Sequence, residues 1–224
     1  MFGRGTASVG GDTFRQIADG SQPAERLTTN GLGGLGPDGW LPSSLSPDGA
    51  MLMLDTRRGG PVWNTYLLAL LGGQAPRPYM RNQVDEWHAV ISPNGRWVAY
   101  QSNVSGRPEV YVRPFSGPTR TWRVSTQGGT LPVWNPKGHE LFFRNEDLMM
   151  VVDVEESGTI TLGKPRALFE RRVWNYNPMH RNFDSSPDGQ RFAVIDDSTA
   201  MRPPTQLILV QHWAEELKRL VPPD

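Results

Sequence analysis

The chain has 224 residues, 37% of them hydrophobic, with 23 Lys+Arg against 23 Asp+Glu and a formal net charge of zero. That balance excludes the uniform basic field on which phosphate-backbone binding depends, so no nucleic acid partner is expected. The absence of cysteine excludes a disulfide scaffold, a thiolate nucleophile and Cys-ligated zinc, and 24 Gly with 20 Pro favour a chain that turns every few residues, an all-β protein.

In chain order the first elements are short. Phe14-Arg15-Gln16-Ile17 and Glu25-Arg26-Leu27-Thr28 read as the last two strands of a unit whose first two are absent or reduced to the Gly-rich start. From Leu41 a four-strand unit follows: the strand at Leu41, Met51 to Asp55, Trp63 to Leu71, and a weakly defined Pro78 to Met80. The next unit runs Trp87 to Ser92, Arg96 to Ser102, Glu109 to Arg113 and Thr121 to Val124, with the period-2 alternation of half-buried strands. A third runs Leu131 to Trp134, Glu140 to Arg144, Leu148 to Val154 and Pro165 to Phe169. Three more strands, Phe183 to Ser185, Arg191 to Asp196 and Gln206 to Trp213, end the series. Trp213, Leu217 and Leu220 then share one face of a short helix, 214–220, stopped by Pro222 and Pro223.

One signal repeats between the first and second strand of each unit. Leu45-Ser46-Pro47-Asp48-Gly49, Ile91-Ser92-Pro93-Asn94-Gly95, Trp134-Asn135-Pro136-Lys137-Gly138 and Ser185-Ser186-Pro187-Asp188-Gly189 recur at a spacing of about 40 to 50 residues. Pro presets φ, Asp or Asn caps the turn with its side chain, and Gly takes the left-handed conformation that closes it. The fold expected is a β-propeller of four-stranded antiparallel blades, three full blades plus partial blades at both ends, forming one domain over 1–224 with the helix docked on it. Open edges at the end blades predict self-association.

These turns resemble the blade repeat of TolB-like propellers (WD40-like, PD40), found also in prolyl-oligopeptidase-type peptidases. Gly128-Gly129-Thr130-Leu131-Pro132-Val133-Trp134, Leu148-Met149-Met150-Val151-Val152-Asp153-Val154 and Trp213-Ala214-Glu215-Glu216-Leu217 are similar to the C-terminal propeller of bacterial eukaryotic-type serine/threonine protein kinases. The resemblance implies an extracytoplasmic or periplasmic module that senses a ligand or binds a protein or peptide, the C-terminal part of a larger receptor-kinase-like protein. The chain carries no nucleotide loop, His-Arg-Asp loop or Asp-Phe-Gly motif, and no Gly-x-Ser-x-Gly elbow. The sequence therefore predicts a protein without enzymatic activity. The alternative is a propeller gating a peptidase or glycan-active enzyme carried on another domain. An independent propeller glycosidase would need paired inward acids, and only Asp184 stands near the end of a first strand.

His88, His139, His180 and His212 sit in separate repeats, without metal-binding spacing, so neither metal nor cofactor is expected. Asp85, Glu86 and His88 could form an acid/base cluster, although they also mark where a chain enters a first strand. Asp48, Asn94 and Asp188 each stand alone in a turn, which suits turn capping better than calcium. The segment from Arg171 and Arg172 through Trp174 and Tyr176 to His180 and Arg181 mixes cations with aromatics and, with His88, is the expected contact surface. No apolar run approaches the roughly 18 residues of a transmembrane helix, so this chain is not expected to insert into a membrane. The Gly-rich start, Met1 to Asp12, lacks the apolar core of a signal peptide, which places any export signal outside this chain.

Overall fold

The computed structural model describes residues 12–16, 21–28, 39–57, 60–171 and 181–195. They form five antiparallel sheets in chain order. The first pairs β1 (Phe14–Arg15) with β2 (Glu25–Arg26). The second is the meander β3 (Leu41–Leu45), β4 (Met51–Thr56), β5 (Asn64–Ala69), β6 (Arg77–Met80). The third repeats it with β7 (Glu86–Ile91), β8 (Trp97–Ser102), β9 (Glu109–Pro114) and β10 (Trp122–Arg123). The fourth has β11 (Thr130–Trp134), β12 (Glu140–Asn145), β13 (Leu148–Ser157), β14 (Thr159–Leu162) and β15 (Arg166–Glu170). The fifth pairs β16 (Phe183–Ser185) with β17 (Phe192–Val194).

The fourth sheet departs from the expected four strands. β13 is long enough to pair with β15 over Leu148–Val151 and, beyond it, with β14 over Val154–Ser157. Gly158 at φ 80° closes this second hairpin, which adds a strand to the four expected. The segment 206–213, the helix 214–220 and residues 172–180 lie outside the described residues.

Period-2 alternation gives each full sheet two apolar faces, and those faces are the core. Leu27 packs with Trp40, Leu52, Leu54 and Tyr66 between the first and second sheets. Met53, Leu67 and Met80 meet Ala89, Val98, Tyr100 and Tyr111 between the second and third. Trp97, Ala99, Val110 and Val112 meet Leu141, Phe143 and Val152 between the third and fourth. Phe142, Met149 and Val151 meet Phe183 and Phe192 between the fourth and fifth. A one-residue slip of β8 or β12 would put every one of its side chains into the wrong seam, so packing on both faces fixes the register. This radial stacking of sheets is the β-propeller that the repeat predicts.

The first sheet supplies the third and fourth strands of a blade, as the spacing suggested, and its hydrogen bonds show why. Leu27 N–H donates to the Thr13 carbonyl and Thr13 N–H to Thr28 Oγ1, as Val124 N–H donates to the Val110 carbonyl and Val110 N–H to Ser125 Oγ in the third sheet. Arg26 bonds the Asp12 carboxylate and the Thr28 carbonyl, as Arg123 bonds Glu109 and the Ser125 carbonyl. Thr13 thus occupies the place of Val110, and Asp12 that of Glu109.

The repeated turns all lie on one rim, here the lower. Gly49, Gly95, Gly138 and Gly189 have φ between 70° and 80°. The residue before each proline does more than sequence suggests: Met51 N–H donates to Ser46 Oγ at 2.9 Å and Trp97 N–H to Ser92 Oγ at 3.0 Å, tying the next strand to the turn. Asp48 and Asn94 accept from Ala50 and Arg96 N–H, both at 3.0 Å, which makes them caps. In the third turn Asn135 replaces the serine, accepting from Lys137 N–H and donating to Glu140 Oε2 at 2.7 Å. Neighbouring turns touch: a Cβ on Gly189 would stand 2.4–2.7 Å from the Asn135 amide.

Candidate functional site at the upper rim

The innermost strands β3, β7, β11 and β16 start at the opposite, upper rim. Three of them are bulged there, between Pro42 and Ser44, Trp87 and Val90, and Thr130 and Val133. His88 (φ 53°) and Leu131 (φ 54°) are held in the left-handed region, which costs a non-glycine residue about 1–2 kcal/mol. The bulge frees a backbone N–H from its ladder, and the preceding blade answers it with a side chain. His88 N–H donates to Asp55 Oδ2 at 2.8 Å, and Leu131 N–H to Gln101 Oε1 at 3.4 Å.

Asp55, Gln101 and Arg144 each stand six residues after a turn glycine, at the upper end of a second strand, buried despite their polarity. Arg144 is 2% exposed; its Nη2 donates to the carbonyls of Glu146 and Arg171, while Nε and Nη1 have no hydrogen-bond partner among the described residues. Ile195, at the same place in the fifth sheet, is 52% exposed.

Asp55 is the chemically distinctive member. It is 4% exposed, with Thr65 Oγ1 2.7 Å from Oδ1 and that hydroxyl 3.3 Å from the Glu86 carbonyl. The Ser43 hydroxyl is also buried, without a hydrogen bond of good geometry. Burial pushes the Asp55 carboxyl up to about 7, opposed by the contacts from Thr65 and His88 and by the charge of Arg181. Thr65 Oγ1 donates to Asp55 Oδ1, and Oδ2 accepts from His88 N–H.

Arg181 precedes β16 in the fifth sheet, yet its charge is felt by Asp55 of the second sheet and by Asp184 of its own. Arg181 is exposed, and desolvation lowers its pKa. Beside His88 lies an aromatic ladder. Trp87 and His88 ring centroids are 4.4 Å apart, Trp63 stacks on Trp87 at 5.2 Å and 18°, and the Arg57 guanidinium lies 5.3 Å over Trp63.

The structure therefore brings one expected site residue, His88, to a carboxyl that sequence reading passed over. Arg171 is used structurally: its N–H donates to the Asp147 carbonyl and its own carbonyl accepts from Arg144. Arg172, Trp174, Tyr176 and His180 lie outside the described residues. Asp85, Glu86 and His88 do not converge on one point. Asp85 accepts from Trp63 N–H and Asn103 Nδ2, and Glu86 accepts from Asn82 Nδ2 at 2.7 Å with burial raising its pKa. Among the described residues no three His, Asp or Glu side chains group as metal ligands.

No family model matches the chain, and no curated protein matches it. Solved structures do. TolB from Acinetobacter baumannii is 17% identical with a TM-score of 0.54 over 80% of this chain and 41% of its own. A protein described as TolB from Agrobacterium tumefaciens is 18% identical with a TM-score of 0.54 over 71% and 57%. A puromycin-hydrolysing peptidase of Mycobacterium tuberculosis is 17% identical with a TM-score of 0.57 over 87% and 34%. The chain shares the β-propeller fold of these structures, and it spans between about a third and three fifths of their length. One expectation is corrected here. The chain was read as having no enzymatic activity, but the fold it shares with TolB is shared as well with that peptidase. Propeller architecture with missing nucleophile and kinase motifs is thus no ground for excluding catalysis. Among the described residues no helix is long and apolar enough to cross a membrane.

Proposed function

We propose that this chain is a protein-interaction module that receives a peptide segment of its partner at the upper rim of the propeller. The observation that carries the reading is the convergence there of bulged inner strands and the half-buried Trp87, stacked on the buried Trp63 and His88 with the Arg57 guanidinium over Trp63, all on sheets locked by packing on two faces. Aromatic rings with a cation beside them give a large rigid contact and a charge-assisted anchor at low entropic cost. By resemblance the partner is extracytoplasmic, and the chain is the propeller portion of a larger receptor-kinase-like protein. A second reading, a propeller that gates an enzyme carried on another domain, has the peptidase neighbour in its favour.

The test is to pan a random peptide library on the purified chain. Enriched peptides are expected to lose at least tenfold in affinity with Trp87→Ala, and to be unaffected by Lys137→Ala on the lower rim. The reverse pattern, in variants whose circular dichroism matches the parent, contradicts the assignment.

A further inference from the structure

We infer that the outer part of the seam between the first and second sheets is a binding groove for a carboxylate with a linear apolar tail, the tail lying along β5 and the carboxylate meeting Arg81. The site is separate from the upper-rim contact surface proposed above and does not rest on it. A cavity of about 820 Å³ runs there between β2 and the β5–β6 hairpin, within the range of about 300–1,000 Å³ that small-molecule sites occupy. Its floor is the apolar cluster of Leu27, Trp40, Tyr66, Leu68 and Leu70, with Trp40 meeting Tyr66 edge to face at 5.1 Å. The β5–β6 connection, from Gly73 to Pro76, bounds the lower end, and Arg81, just past the upper end of β6, bounds the other.

The seam between the third and fourth sheets has the same place filled. There Trp122 stands opposite Val112, both pack in the seam, and Trp122 meets Trp97 edge to face at 5.5 Å. The pairing that aligns Thr13 with Val110 and Arg26 with Arg123 puts Arg15 in the place of Val112 and Glu25 in the place of Trp122. An apolar pair is thus replaced by an exposed ion pair, Arg15 Nε donating to Glu25 Oε2 at 3.0 Å, and side chains that keep their charges in water leave an apolar seam unfilled. The charges around the groove then divide. Glu25 is paired with Arg15 and Arg26 with Asp12, whereas the exposed Arg81 makes no hydrogen bond or ion pair among the described residues. One unspent guanidinium at the end of an apolar groove matches one planar carboxylate carried on an apolar tail.

The probe is octanoate, with butyrate and uncharged octanamide as controls, titrated into the chain by calorimetry. Octanoate is expected to bind at least about tenfold more tightly than butyrate, since each buried methylene is worth about fourfold. It should bind about three- to fivefold more tightly than octanamide, the range of an exposed ion pair. Arg81→Gln should bring octanoate down to octanamide and leave octanamide unchanged. The double variant Arg15→Val with Glu25→Trp, which rebuilds the Val112–Trp122 pair, should abolish binding of both with a melting temperature at or above the parent's. Trp87→Ala, on the upper rim, should leave octanoate binding as it is. No octanoate binding by the parent, binding that survives the filled seam, or binding lost with Trp87→Ala overturns the site. Equal affinity for octanoate and octanamide, or a preference that survives Arg81→Gln, overturns the carboxylate assignment, and because Arg81 is exposed that variant decides it whether or not the filled seam folds.

Discussion

Asp55 is a buried carboxyl whose stability signature has a definite sign. The Asp55 pKa is raised in the folded state, so between the unfolded value near 4 and about 7 the folded chain holds a proton that the unfolded chain has released. Stability from this group therefore falls as pH rises, by about 1.4 kcal/mol per pH unit across that window. Asp55→Asn cannot ionise, so its urea midpoint should exceed that of the parent at pH 8 by much more than at pH 5. Glu109 has the opposite sign. Burial would raise it, but hydrogen bonds from Ser125, Arg123, Arg107 and the Gly128 N–H outweigh that and hold its carboxyl low. Its contribution is present above its unfolded pKa and lost as pH falls through the folded one. Glu109→Ala should cost about 2–4 kcal/mol at pH 7, since it leaves these donors facing a void, and much less at pH 3. Chemical denaturation at the two pH values measures both.

At the scale of the element, the lower-rim turns were the most legible part of the sequence because they are local. Pro, Asp or Asn, and Gly each act within four residues, and the φ values of the four glycines follow from that chemistry. The β14 hairpin was less legible although Thr159-Ile160-Thr161-Leu162 alternates, because it is a short strand added outside the repeating four. The serine preceding the proline is a local signal too, and Ser92→Ala should cost about 1 kcal/mol by orphaning the buried Trp97 N–H. Gly189→Ala should cost more, about 2 kcal/mol, because a left-handed φ and the close Asn135 amide both oppose a Cβ. Thermal melts of the two variants order them.

At the scale of the whole molecule, the site was legible only in part. His88 and Arg181 stood out by residue type, but Asp55 reads in sequence as the polar end of an ordinary strand, and its burial is created by sheets more than 30 residues away. The signal that could have found it is the polar residue six places after each turn glycine, where Asp55, Gln101 and Arg144 answer the bulges of the inner strands or cap the seam. Among the described residues the first and fifth sheets have two strands each. Light scattering is expected to detect self-association of the isolated chain, and a monodisperse monomer at all concentrations would contradict that.

The measurement that tests the account most directly is amide hydrogen exchange with and without a panned peptide. The account predicts added protection confined to the upper rim, around Asp55, Trp87–His88 and Leu131. Protection instead at the turns of Pro47, Pro93, Pro136 and Pro187, or along the outer strands β6 and β10, would contradict it.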